Sequence, residues 1–315
     1  MPARLRHIAV LATLLGLACK PPESSSTPSE PPPPTEPAPA PALDTAEVPE
    51  TTNTGILEEQ DFAALHQLTD EKAPAPKGEE LELAGARVYL SLPENAEAPL
   101  PAVVVIHEWW GLNEHIKHWT DRLAEDGYAA LAVDLYGGQV ATDRETALAL
   151  MKGVDEARAK EILDAAHQFL AKDDRVKADK RGVVGWCFGG GWSLQQALNH
   201  PDLDAAVVYY GRLETDPKVL GTISAPVMGV FGNQDAGIPP AAVDAFADAM
   251  KDAGKSLTVY RYDAQHAFAN PSSGRYNPEA AASAWGHARE FFAEHLKREA
   301  GGSDVEGCPT CKADD

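Results

Sequence analysis

Polar and apolar positions alternate with a period of two over Glu79 to Leu83 and again over Ala86 to Leu92, with Ala84-Gly85 between them. That pattern predicts a hairpin of two half-buried strands. Six apolar runs without alternation follow: Ala102 to Ile106, Ala129 to Val133, Gly182 to Trp186, Ala205 to Tyr209, Val227 to Phe231 and Leu257 to Tyr260. Strands of this kind are covered on both faces. Helix-period segments separate them, at Ile116 to Asp126, Glu156 to Ala171, Trp192 to Asn199, Ala241 to Ala253 and Glu279 to Leu296. Strands alternating with helices predict an α/β domain, a doubly wound and mostly parallel sheet, over residues 77–300.

The two ends of the chain read differently. Residues 1–18 have the form of an export leader, with Arg4 and Arg6 ahead of an apolar stretch from Ile8 to Leu17. Gly16-Leu17-Ala18-Cys19 resembles a bacterial lipoprotein leader, although Gly16 stands where Leu is usual. The resemblance implies lipidation of Cys19, hence an exported protein of the cell envelope, in the periplasm or on the outer surface. Acyl chains there would anchor the chain to a membrane without spanning it. Residues 19–76 are predicted to be a disordered tether, since runs such as Pro31 to Pro34 bury too little surface to offset ordering entropy. Within it, Ile56 to Leu68 is a candidate short amphipathic helix. Residues 301–315 form a polar tail containing Cys308-Pro309-Thr310-Cys311, read as a local disulfide because neither a strand-helix frame nor a second ligand pair accompanies it.

Composition removes some function classes. Lys plus Arg number 27 against 48 Asp plus Glu, a net charge of −21. Nucleic-acid backbones need clustered cations, so no nucleic-acid partner is expected. Four cysteines in 315 residues exclude a disulfide-dense scaffold.

The chemistry lies where open parallel sheets place it, beyond the carboxyl ends of strands. Gly185-Trp186-Cys187-Phe188-Gly189-Gly190-Gly191 sets a cysteine between a strand and a helix. Flanking glycines allow a sharp turn that projects the side chain, and the helix N-terminus lowers the thiol pKa. Asp235 follows the next-but-one strand and His266 follows the last. The order nucleophile, acid, histidine is the one α/β-hydrolases use. Cys187 is thus the candidate nucleophile, His266 its base, and Asp235 the group that orients the imidazole. Asp263, three residues before His266, is a weaker rival.

Several motifs together resemble the dienelactone hydrolase family: His107-Glu108-Trp109-Trp110-Gly111-Leu112-Asn113, Gly127-Tyr128-Ala129, Asp134-Leu135-Tyr136, Gly185-Trp186-Cys187-Phe188-Gly189-Gly190, Tyr209-Tyr210-Gly211 and His266-Ala267-Phe268. The resemblance covers about Glu79 to Leu296. It implies an α/β-hydrolase fold, a single catalytic domain without a large lid. It also implies that Glu108 contacts the resting thiol, and that the backbone N–H groups of Trp109 and Phe188 form the oxyanion hole. The sequence departs from the family at its substrate arginines, where Gly137-Gly138 and Asn270 stand. An Arg fork suits a carboxylate, so an anionic dienelactone is disfavoured. The pocket is expected to be lined by Trp109, Trp110, Tyr136, Phe268 and Asn270.

The reading is a hydrolase of small esters or lactones working through a Cys-His-Asp triad and an acyl-enzyme, with no cofactor and no metal. An envelope thioesterase or deacylase is the alternative enzyme. A non-catalytic ligand-binding lipoprotein is the remaining class, disfavoured because all the triad residues are present.

Overall fold

The computed structural model describes residues 66–297, which fall within one compact unit. The leader, the lipidation site Cys19, residues 19–65 of the tether and the tail with Cys308 and Cys311 lie outside the described residues. Among those described, no helix is long and apolar enough to cross a membrane.

Eight strands form one sheet: β1 (Glu79–Leu83), β2 (Ala86–Ser91), β3 (Ala102–Ile106), β4 (Ala129–Val133), β5 (Arg181–Trp186), β6 (Ala205–Tyr209), β7 (Val227–Gly232) and β8 (Leu257–Tyr262). Their spatial order is β1-β2-β4-β3-β5-β6-β7-β8. The hairpin β1–β2 joins β4 antiparallel, and every pairing from β4 through β8 is parallel. This is the α/β-hydrolase sheet that the sequence leads one to expect.

The apolar runs are explained by what covers them. Val103 and Val105 of β3 pack on one face, against Trp119 and Leu123 of α1 (Glu114–Glu125) and Trp285 and Phe292 of α7 (Pro278–Leu296). Val104 and Ile106 pack on the other, against Leu163 and Leu170 of α3 (Glu156–Lys172), Leu194 of α4 (Phe188–Asn199) and Phe246 of α6 (Pro240–Asp252). All residues of β3 are fully buried. Each such valine or isoleucine contributes about 1.5–3 kcal/mol by leaving water, which is why no polar position interrupts the run.

Side-chain caps set the helix starts. Asn113 accepts from the N–H groups of His115 and Ile116 at α1, and Asn277 from that of Ala280 at α7. Two helices have no counterpart in the sequence reading, α2 (Arg144–Lys152) and the single-turn α5 (Pro217–Leu220). Both are short, so their periodicity is weak. The helix expected from Trp192 begins at Phe188, because Gly189, Gly190 and Gly191 have poor helix propensity and disguise its first turn.

The tether also differs from expectation at its end. Residues 66–71 lie against the domain, with Leu68 in an antiparallel bridge to Ser273. The described end of the expected helix Ile56 to Leu68 is therefore extended, because its backbone finds partners in a neighbouring loop instead of in its own turn.

Candidate active site

Trp186 closes β5 and Phe188 opens α4, so Cys187 alone makes the turn between them, at φ 55° and ψ −114°. A non-glycine residue with positive φ is strained and is found where geometry is over-determined by its surroundings. The glycines make that turn possible. A methyl group on Gly189 would strike the carbonyl oxygens of Ile106 and His107, and one on Gly185 would strike the backbone of Gly189. The Cys187 N–H donates to the Tyr209 carbonyl at 2.9 Å, pinning the elbow to β6. As the first residue of α4, Phe188 holds an N–H with no acceptor inside its helix.

Asp235 lies in the turn after β7, and His266 in the loop after β8. Asp235 accepts through Oδ1 from the N–H groups of Gly237 (2.7 Å) and Ile238 (3.1 Å). Its Oδ2 is 2.7 Å from Nδ1 of His266. Asp263, the rival acid, is instead bonded to Gln234 on the surface.

The ligating atoms of Cys187, His266 and a further histidine, His66, lie within 4.8 Å of one another, all buried. His66 Nε2 is 3.2 Å from the Cys187 sulfur. Burial alone would lower the His266 pKa, but the charges of Asp235 and Cys187 and their hydrogen bonds raise it to about 10. Burial alone would raise the Asp235 carboxyl; His266 and the two backbone donors overcome this and hold it below the usual range. The balance of charges favours a protonated His266 between the Asp235 carboxylate and the sulfur.

Glu108 follows β3 and is buried. Its carboxylate accepts from the Tyr210 hydroxyl (3.3 Å) and the Asn270 amide (2.5 Å). Burial pushes its pKa up to about 7, against the pull of His266 and those two donors. The resemblance implied a contact between Glu108 and the resting thiol. The structure gives its two oxygens the partners Tyr210 and Asn270, and places His66 Nε2 against the sulfur.

The expected pocket residues divide. Phe268 is fully buried between Tyr210 and Tyr262, with ring centroids at 5.5 and 5.3 Å, and belongs to the core. Asn270 spends its amide on Glu108 and its carbonyl on the Ser272 N–H and hydroxyl, so it braces the site instead of lining it. Trp109 and Trp110 pack edge to face at 5.1 Å, and the His66 ring lies 4.1 Å from Trp109. Tyr136 packs on His107 and Phe188; burial raises its pKa, and negative charge on the nearby Cys187 sulfur would add to that. Its buried hydroxyl has no partner among the described residues. The remaining motif residues are structural ties. His107 accepts from the Leu135 N–H through Nε2 and donates through Nδ1 to the Glu108 carbonyl, while Asp134 accepts from the N–H groups of Tyr136 and Gly138.

Sequence reasoning missed His66, Arg144 and Arg275. Arg144 Nε donates to the His66 carbonyl at 2.6 Å. Arg275 is close enough to both Asp235 and Arg144 to feel their charges, though burial is the largest influence on it. Nothing local marks these residues: His66 ends an apolar stretch in a Pro-rich region, and the two arginines sit in polar segments. The sulfur and two imidazoles are also a donor set of the kind zinc accepts, with Asp235 behind His266 as a carboxylate support.

Comparison with known proteins identifies the family of the chain. Residues 86–296 match the model of the dienelactone hydrolase family. A candidate carboxymethylenebutenolidase of Methylorubrum extorquens is 33% identical over 222 residues, covering 66% of this chain and 76% of its own. One from Saccharolobus solfataricus is 33% identical over 249 residues, covering 66% of this chain and 94% of its own. Among solved structures, a candidate dienelactone hydrolase of Klebsiella pneumoniae matches with TM-score 0.64 and 29% identity, over 70% of this chain and all of that one. A dienelactone hydrolase-like promiscuous phosphotriesterase from metagenomic libraries matches with TM-score 0.63 and 27% identity, over 71% of this chain and all of that one. The sheet, the elbow and these likenesses agree that the chain is a hydrolase, and it belongs to the dienelactone hydrolase family.

Proposed function

We propose that this protein hydrolyses small, uncharged esters or lactones through an acyl-enzyme on Cys187. The observation that carries the reading is the convergence of Cys187, His266 and Asp235, each at or beyond the carboxyl end of a parallel strand and all buried. The thiol proton resides on His266, and Asp235 fixes that ring through Nδ1. The sulfur lone pair forms a bond to the substrate carbonyl carbon while the carbonyl π pair moves to oxygen. Phe188, at the helix start, and Trp109, after Glu108, would supply the N–H groups for that oxyanion. Collapse expels an alkoxide, which takes the proton from His266. Water then gives a proton to His266 and attacks the thioester, and the thiolate leaves.

In this reading the rings of Trp109, Trp110 and Tyr136 would favour an apolar acyl group, and the Tyr136 hydroxyl would meet a polar atom of the substrate. In the same reading the protein is exported and anchored through a lipid on Cys19, as the leader sequence suggests. A panel of activated esters, lactones and thioesters, with Cys187→Ala beside the parent, tests the function. Loss of at least 10³-fold in ester or lactone turnover is expected of the variant. Equal turnover by the two would indicate a ligand-binding protein, and turnover confined to thioesters would favour an envelope thioesterase. Labelled palmitate incorporation that survives Cys19→Ser would end the anchoring proposal.

A further inference from the structure

His66 precedes the segment that matches the family model by 20 residues, yet its side chain is at the centre of the site. The residues around it explain how it gets there. The His66 carbonyl accepts from Arg144, the first residue of α2. The Gln67 carbonyl accepts from the Gly274 N–H at 3.0 Å, Leu68 bridges Ser273, and the Thr69 N–H donates to the Ser272 carbonyl at 2.7 Å. Farther along, the Glu71 carbonyl meets Nε2 of His115 on α1 at 3.0 Å. The segment is thus an extended strand of chain, outside the sheet and held by one β-bridge and flanking hydrogen bonds, laid on the loop that carries His266 and Asn270. Residues 67–70 are exposed, whereas His66 is 2% exposed, so the strand presents one side chain inward. That side chain meets the sulfur through Nε2 and packs on Trp109 and on His266 at centroid distances of 4.1 and 5.1 Å. Cys187 itself is only 3% exposed with His66 in place.

We propose that His66 is a further catalytic residue, delivered by the strand ahead of the hydrolase fold: it donates its Nε2 hydrogen bond to the Cys187 thiolate in the resting enzyme and leaves the sulfur when substrate enters. The inference rests on the reading of Cys187 as nucleophile, and it assigns to His66 the place beside the thiol that the family resemblance gave to Glu108. A donor on a thiolate stabilises it, whereas a second carboxylate would oppose it. Displacement is required because the imidazole occupies the space beside the sulfur that an attacked carbonyl needs.

The other groups facing the sulfur belong to separate elements. His266 comes from the loop after β8, Tyr210 from the end of β6 and Tyr136 from the loop after β4. Glu108 stands behind Tyr210, and Asp235 behind His266. His266 also packs on the His66 ring, so comparing His66→Ala with His66→Gln separates the lost hydrogen bond from the lost ring.

The test is alkylation of Cys187 in the full chain, followed on its own peptide by mass spectrometry, with iodoacetamide and a bulky aryl maleimide across about pH 5 to 10, a range that brackets the ordinary thiol pKa of about 8.5. For His66→Ala, maleimide alkylation at the top of the range should rise tenfold or more, and the pH midpoint with iodoacetamide should move upward. His66→Gln, which keeps an N–H donor, should restore the midpoint. Arg144→Ala, which loosens the strand but keeps the imidazole, should speed the maleimide reaction with a smaller change in midpoint. An unmoved midpoint in His66→Ala overturns the proposal, whether or not the rate rises, because His66 would then only fill space. Alkylation needs no substrate. A failure here with active enzyme sinks only the role of His66, whereas full ester turnover by Cys187→Ala sinks the hydrolase mechanism itself.

Discussion

The Asn270 amide donates to Oε2 of Glu108 at 2.5 Å, across 162 residues of sequence. The same carboxylate takes the Tyr210 hydroxyl on its other oxygen, so Glu108 is held as a brace between the β3 and β8 sides of the site. A buried carboxylate so placed costs stability when it ionises, and that cost can be measured.

The Glu108 carboxyl is raised from the usual range to about 7 in the folded protein. A raised carboxyl contributes stability that is fully present below its unfolded pKa and is lost as pH rises through the folded value. The window therefore runs from about pH 4.5 to about 7. Glu108→Gln should raise the melting temperature of the protein at pH 8 relative to its effect at pH 5, by an amount equivalent to about 3 kcal/mol at most. A pH-independent difference between parent and variant would show that burial of the charge is not the controlling effect.

His266 is raised to about 10, with Asp235 the first of the groups that overcome burial. Asp235→Asn removes that charge and the partner that fixes the ring. Turnover should fall by roughly 10³ to 10⁴-fold, the melting temperature should drop because a buried imidazolium loses its partner, and the pH midpoint for Cys187 alkylation should rise. Steady-state kinetics and alkylation rates together check this, since a change in neither leaves Asp235 without its orienting role.

Gly189 sits where α4 passes over the end of β3, with no room for a side chain beside the Ile106 and His107 carbonyls. Gly189→Ala should destabilise the fold by about 1–3 kcal/mol through overpacking and should also displace the thiol. A thermal or urea unfolding curve indistinguishable from that of the parent would contradict the close approach.

The sulfur and the two imidazoles converge as donors that zinc accepts. Zinc at micromolar concentration should inhibit turnover, and a chelator should restore it. His66→Ala should need at least tenfold more zinc for the same inhibition, because one donor of the set is gone. Equal zinc sensitivity would mean that His66 does not share the metal with Cys187.

Much of the site was legible along the chain. Cys187 was marked by the glycines around it, because a strand-to-helix elbow demands small neighbours whatever the rest of the fold does. Asp235 and His266 were marked by lying just past apolar runs, because a strand buried on both faces leaves its polar chemistry at its end. The core was legible for the same reason: unbroken β-branched runs such as Ala102 to Ile106 have no stable place except between two layers of helix.

Three-dimensional packing decided the rest. Glu108 met Asn270 and Tyr210, Phe268 became core, and His66 entered the site from a segment that reads as tether. Each outcome depends on at least one contact between residues more than 50 positions apart, which composition and periodicity do not encode. Periodicity records which face of an element is dry. Which side chain of one element meets which atom of another is settled by how the elements pack, and a hydrogen bond to sulfur at 3.2 Å exists only once they have done so.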